Sequence, residues 1–335
     1  MLKFYKILFL VSMTAGTLIT ISSYSWLSMW MGLEINLLSI IPLLKSPNNQ
    51  FPTEASFKYF ITQSIASTAF LFSMILSFNK MEQILQLTPQ IVMIILYASI
   101  LTKMGAAPFH AWLPEVLEGL SWKKCLLMLT WQKIAPMIIL MQNIKLSLPL
   151  ISITIFSSAV GSILALNQIS MRKIMAYSSI NHSAWMISSM ISMKMIWYIY
   201  FLIYSLISIT IMMMLNSMKT FFIHQINIFK LNKATNLIFT LNFLSLGGLP
   251  PFLGFLPKWL TINFLIYENN YLLTMFLILF TLVALFVYTR IIFSSMMLSL
   301  TENNIMSTKK MSNLMITLNF IILSGLLMSP LILNL

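Results

Sequence analysis

Apolar runs of membrane-spanning length follow one another along almost the whole chain, at residues 3–22, 24–44, 54–78, 89–108, 122–145, 147–166, 173–193, 195–217, 236–267, 270–297 and 312–334. About 20 apolar helical residues cross the hydrocarbon of a bilayer. Lipid offers no hydrogen bonds, so a span must satisfy its own peptide groups as a helix or a closed barrel. Eleven such runs in 335 residues leave little sequence for a soluble domain. The expected fold is all-α: a single polytopic integral membrane domain with about 11 transmembrane helices. Composition agrees, with 59% hydrophobic and 8% charged residues, where soluble domains carry about 25% charge.

The formal net charge of +13 would suggest nucleic acid as a partner of a soluble protein. Here most cations sit in short connections between apolar runs, where they orient helices, so nucleic-acid binding is not expected. The one cysteine, Cys125, permits no intrachain disulfide. His110, His182 and His224 lack metal-ligand spacing, and no metal site is expected. The N-terminal MLKFYKILFLVSMTAGTLITIS has a basic start and an apolar body but no small-residue cleavage site, so it is expected to remain as the first span.

An odd number of helices puts the termini on opposite sides. The side holding the N-terminus then collects thirteen basic residues, among them Lys45, Lys123, Lys124, Arg172, Lys173 and Lys219, against Lys80, Lys145 and Lys194 on the other. Positive charge favours the cytoplasm or its equivalent, the mitochondrial matrix, and the N-terminus is expected there. The longest connection, residues 219–233, spaces Phe222, Ile226 and Phe229 as an interfacial helix on anionic lipid would; an ordinary basic connector fits equally well.

Four basic residues fall inside apolar runs: Lys58, Lys103, Lys133 and Lys258. Among the seven glutamates, Glu34 alone lies near the middle of a span, roughly 15 Å from either end at about 1.5 Å per residue. A charge at that depth costs about 2.5–3.5 kcal/mol on insertion scales and faces a partner or a wet cavity. One Glu–Lys pair could serve packing alone. Four cations and one carboxylate cannot all neutralise one another, and a buried, crowded cation holds its charge only as its neighbours allow. Such a row suits a proton relay. Lys133 is deepest, three residues before Pro136. Lys58 follows Glu54 by four residues, so an interfacial salt bridge explains it almost as well. His110 and His182 could extend the path.

Two runs carry helix breakers beside a lysine: TKMGAAPFHAWLPE around Lys103 and SLGGLPPFLGFLPKW before Lys258. The interrupted helices are fourth and ninth, hence fourth in each of two sets of five, and an odd number per set inverts the second relative to the first. The expected repeats occupy about 1–145 and 147–297, with a final helix at about 312–334. Broken helices at matching positions of inverted repeats point to a transport site near the midplane.

These stretches, with WMGLEINLLSIIPLL, TEASFKYFITQ, WQKIAP and NQISMRKIMAYSSINHSAWM, resemble the antiporter-like proton-channel subunits of respiratory complex I over nearly the whole chain and in the same order. Full-length bacterial members have fourteen helices; an eleven-helix form lacks the first three, as the animal mitochondrial members do. The resemblance implies that Glu34 is the family's helix-borne glutamate, Lys103 the lysine of the first broken helix, Lys133 the central relay lysine and Lys258 the terminal one, and that Lys58 is a further lysine of this subunit type; Glu34 and Lys103 are then expected to form a modulated pair. It also implies the mitochondrial inner membrane, other membrane-arm subunits as neighbours, including adjacent antiporter-like subunits, and contact with lipids such as cardiolipin. NADH, FMN, iron–sulfur clusters and ubiquinone would be handled by other subunits, with no cofactor in this chain. Consistently, the sequence has no cysteine cluster and no G-x-G-x-x-G signature. Eighteen lysines against two arginines, with abundant Met and no Asp, fit an AT-rich mitochondrial coding bias. Two other roles would suit such a chain: a structural subunit tying the membrane arm together, or a free-standing cation/proton antiporter. The second is disfavoured by the shortage of oxygen ligands for a sodium ion.

Overall fold

The computed structural model describes residues 4–46, 49–78, 88–143, 148–228, 233–296 and 316–325. Among them the fold is helical, apart from one isolated antiparallel bridge between Ser170 and Phe222. The chain divides into two compact units, Met1–Pro149 and Leu150–Leu335.

The first unit opens with α1 (Phe4–Ser22) and α2 (Trp26–Leu44), and the Ser25 hydroxyl caps the start of α2. Their backbones approach closely at Gly16 and Gly32. A Cβ on Gly32 would stand 2.8 Å from the Gly16 carbonyl, and one on Gly16 3.0 Å from the Asn36 amide. Small residues at such a crossing replace the hydrophobic drive that lipid cannot supply, and they fix the rotation of α2, the helix that carries Glu34 and Asn36. Next come α3 (Phe51–Phe78), α4 (Thr88–Met104), α5 (Trp112–Gly119), α6 (Trp122–Leu129) and α7 (Trp131–Asn143). The expected span at 122–145 is interrupted at Thr130, whose hydroxyl bonds back to the Leu126 carbonyl at 2.7 Å.

The second unit comprises α8 (Leu148–Ile163), α9 (Met171–Ser192), α10 (Lys194–Met218), α11 (Ile223–Ile228), α12 (Lys233–Gly247), α13 (Phe255–Tyr267), α14 (Tyr271–Met296) and α15 (Ile316–Gly325). α9 is buried on every side from Ser178 to Met190. It can therefore carry Ser178, Ser179, Ser183, Ser188 and Ser189, each hydroxyl satisfied by the carbonyl three residues earlier. A helix that meets only protein has no need of an apolar face toward lipid.

Among the described residues, helices at six of the eleven expected spans are long and apolar enough to cross a bilayer: Phe4–Ser22, Trp26–Leu44, Phe51–Ser77, Trp122–Asn143, Lys194–Met218 and Tyr271–Ser294. Four more contain shorter apolar helices, at Ile91–Met104, Pro149–Ile163, Asn236–Gly247 and Ile316–Gly325. The remaining run is α9. In the long basic connection, α11 buries Ile223 and Ile226 within the protein and packs against α14, while Phe222 stays exposed. Phe229 lies outside the described residues, as do Lys3, Lys80, Lys145, Lys230, Lys309, Lys310 and part of the final run.

Candidate proton-transfer sites

Both glycine- and proline-rich stretches interrupt a helix, and both interruptions begin the same way. At the end of α4, Gly105 takes φ +70°, the Gly105 amide donates to the Thr102 carbonyl at 3.2 Å and the Ala106 amide to Leu101 at 3.1 Å. At the end of α12, Gly248 takes φ +80°, its amide donates to Ser245 at 3.1 Å, and Leu249 donates to Leu244 at 3.4 Å. This pairing closes a helix on a left-handed glycine and leaves remaining carbonyls exposed at the negative end of the helix dipole.

A lysine stands at each carbonyl end, though the two reach it from opposite sides of the break. Lys103 belongs to the last turn of α4 itself. Lys258 belongs to α13, beyond the break, and turns back to donate from Nζ to the Gly247 carbonyl at 2.8 Å. Both are buried at 7% exposure; Lys258 replaces lost water with the carbonyl end of α12, whereas Lys103 borders a small polar cavity. Lys258 Nζ also lies 5.9 Å above the Trp185 ring, within range of a cation–π attraction.

In the first unit, Lys103 borders a cavity of about 10 Å3, also lined by Asn36, Tyr59, Gln63, Gln132 and Pro136. That is about the space one water needs. Its polar wall is connected: Tyr59 Oη donates to Gln132 Oε1 at 3.2 Å, and Gln132 Nε2 donates to Asn36 Oδ1 at 2.9 Å. Gln63 Nε2 is buried at the same cavity without a protein hydrogen bond. Lys133 is the next residue after Gln132 and is 2% exposed. Glu34 and Lys103 form no ion pair; among the described residues the ion pairs are those of Lys58. Glu34 Oε1 is enclosed and has no hydrogen-bond partner.

Lys58 does not join this buried set. It lies at the surface, 3.0 Å from Glu54 one turn earlier and 3.1 Å from Glu115 of α5. His110 is half-buried in the link after α4, with Nδ1 3.2 Å from the Pro108 carbonyl.

In the second unit, His182 is buried in α9, and its Nδ1 is 2.9 Å from Tyr200 Oη. The two line a second cavity of about 10 Å3 with Tyr204, Ser245, Gly254 and Pro257. Ser245 and Gly254 flank the helix break, so the histidine stands beside the interruption that holds Lys258.

The neutral members of both sites escaped notice in the sequence. Asn36 two residues after Glu34, Gln132 beside Lys133, and the pair Tyr59 and Gln63 four apart on one face of α3 were the available signals.

The transmembrane family model of the NADH:quinone oxidoreductase/Mrp antiporter family matches residues 23–286. Similar chains named NADH-ubiquinone oxidoreductase chain 2 include that of Anopheles gambiae, 45% identical over 99% of both chains. That of Locusta migratoria is 45% identical over 93% of this chain and 92% of its own. That of Didelphis virginiana is 41% identical over 85% of this chain and 83% of its own. Among solved structures, a chain of respiratory complex I from Thermus thermophilus superposes with TM-score 0.87 at 22% identity, covering 99% of this chain and 80% of that one. A chain of the Mrp complex from Dietzia sp. DQ12-45-1b gives TM-score 0.75 at 13% identity over 84% and 59%.

Proposed function

Because the chain belongs to the NADH:quinone oxidoreductase/Mrp antiporter transmembrane family, we propose that it moves protons through a row of buried lysines as a core membrane-arm subunit of the mitochondrial NADH–ubiquinone oxidoreductase. The enzyme's activity belongs to the whole complex. Electron transfer from NADH to ubiquinone, with FMN and iron–sulfur clusters, takes place in other subunits, and this chain contributes a proton path coupled to it.

One observation carries the mechanistic reading: each unit contains a helix broken at a left-handed glycine, with a buried lysine at the carbonyl end of the first half. Unpaired backbone at membrane depth is tolerated where it is buried or lines a wet cavity, and a buried ammonium, held by the Gly247 carbonyl in the case of Lys258, can release and regain a proton as nearby charges change. In this mechanism Glu34 modulates Lys103 across a gap that direct pairing would close. Loss of the Glu34 influence frees the Lys103 proton toward the amide-lined cavity, Lys133 takes it up, and Lys258 receives it next. A charge displacement from a neighbouring membrane subunit drives the sequence, and hydration of the small cavities gates it. His182 and Tyr200 offer a hydroxyl–imidazole extension beside the second break; His110 is the weaker extension at the first. Lys58, held by two surface carboxylates, is outside the path.

The wider architecture follows from the same reading. The two compact units correspond to inverted five-helix repeats followed by a final helix, in a chain of eleven spans with its N-terminus in the matrix. Adjacent antiporter-like subunits and lipids such as cardiolipin cover its outer faces.

Replacing Lys133 with Met tests the proposal, since Met fills a similar apolar volume and cannot carry a proton. The complex should assemble and its ratio of protons moved to NADH oxidised should fall. Normal assembly with an undiminished ratio would favour a purely structural role for the chain.

A further inference from the structure

The broken helix of the second unit is gripped by α15, which lies beyond both five-helix sets. α15 buries Asn319 and Ile322, one turn apart on a single stripe, and leaves Ile316, Phe320 and Ile321 exposed. That stripe meets the broken helix on either side of Gly248. On α12, Asn242 Nδ2 donates to Asn319 Oδ1 at 2.6 Å, and both residues are almost fully buried, at 0% and 2%. In the link between α12 and α13, the Leu253 amide donates to the Ile322 carbonyl at 3.3 Å. Gly325 lies so close to the Leu253 side chain that a Cβ there would overlap it.

A helix break inside a bilayer releases peptide groups that must find protein partners. Much of this link closes on itself: Phe252 donates to Leu249, Phe255 to Phe252 and Leu256 to Leu253. The Leu253 amide instead turns outward to a different helix. The amide pair Asn242–Asn319 holds the half-helix before the break, and Leu253–Ile322 holds the link after it, both against the same helix. The quantity thereby fixed is the separation between the end of α12, which offers the Gly247 carbonyl, and the start of α13, which carries Lys258.

We propose that α15 is a positioning helix for the Lys258 site, with Asn319 its principal anchor. Asn319 acts through Asn242 and the backbone of the break and is a positioning residue. The proposal rests on the reading of Lys258 as a proton carrier only for its consequence in pumping; its structural content stands separately.

The test is hydrogen–deuterium exchange on the intact complex carrying Asn319→Leu, and separately Gly325→Ala, which pushes α15 from Leu253 while leaving the amide pair in place. Amides within 248–256 should exchange about tenfold faster, the factor an interhelical hydrogen bond of this class supports, with α9 unchanged. Protons moved per NADH should fall and the pH profile of pumping should shift. If Asn319→Leu prevents assembly, Gly325→Ala carries the test. Unchanged exchange at 248–256 in the assembled variants overturns the proposal, whatever pumping does. Faster exchange with an unaltered proton ratio and pH profile supports the positioning role and overturns the assignment of Lys258 to the relay.

Discussion

Gly248 is the residue on which the second break turns. Its φ of +80° costs an L-residue about 1–2 kcal/mol, and a Cβ there would stand 2.8 Å from Lys258 Cδ and 2.9 Å from Nζ. Gly248→Ala should therefore leave the complex assembled but less stable by about 1–2 kcal/mol, with Lys258 displaced from the Gly247 carbonyl and pumping reduced. Thermal unfolding and proton uptake per NADH in vesicles measure the two effects, and full pumping would show that the lysine's placement is immaterial. Lys58→Met makes the opposite case. Its ammonium lies at the surface between two carboxylates, where ion pairs contribute little, so the proton ratio should stay at the parent value. A loss of pumping comparable to that of Lys133→Met would place Lys58 in the path after all. Charges inside apolar runs were legible in the sequence because their desolvation cost follows from hydropathy alone. The partners were not: Glu115 meets Lys58 across 57 residues of chain. Gln132 joins Tyr59 to Asn36 by tertiary packing that no local pattern encodes.

At the scale of elements, the helix interruptions at Gly105 and Gly248 were readable because glycine and proline act through backbone sterics that are local to the chain. The short helix α5 and the interruption at Thr130 were not, since neither changes the apolar content of its neighbourhood. Basic connections were legible as orientation signals, but some also close helices. Lys124 Nζ donates to the Leu44 carbonyl at 2.6 Å, at the end of α2. Arg290 of α14 donates from Nη1 to the Leu166 carbonyl at 2.6 Å and from Nη2 to that of Gln168 at 2.9 Å. These carbonyls follow α8, where the chain leaves helix and has no further turn to satisfy it. Arg290→Met should leave both oxygens short of a donor and lower stability by about 1.5–3 kcal/mol, the range for a hydrogen bond to a charged group. Faster amide exchange confined to 164–171 would be the local signature. An unchanged melting transition would mean that water replaces the guanidinium there.

At the scale of the whole molecule, orientation is the property on which the direction of proton movement depends, and α10 provides its sharpest test. This helix runs from Lys194 to Met218, about 37 Å at 1.5 Å per residue, enough to span the hydrocarbon with its ends in opposite aqueous layers. Lys194 opens it, Lys219 caps it in the left-handed region at φ 55°, and both are exposed. The excess of basic residues assigns Lys219 to the N-terminal side and Lys194 to the other. With the N-terminus in the matrix, a membrane-impermeant amine reagent applied to inverted inner-membrane vesicles should modify Lys219 and spare Lys194. Applied to mitoplasts of normal polarity, it should modify Lys194 and spare Lys219. The converse pattern would place the N-terminus on the intermembrane side, and any path through Lys133 and Lys258 would then have to fill from the opposite compartment. Labelling of both residues from one side would mean that α10 does not cross the membrane, and with it the alternation of five and five helices would fail.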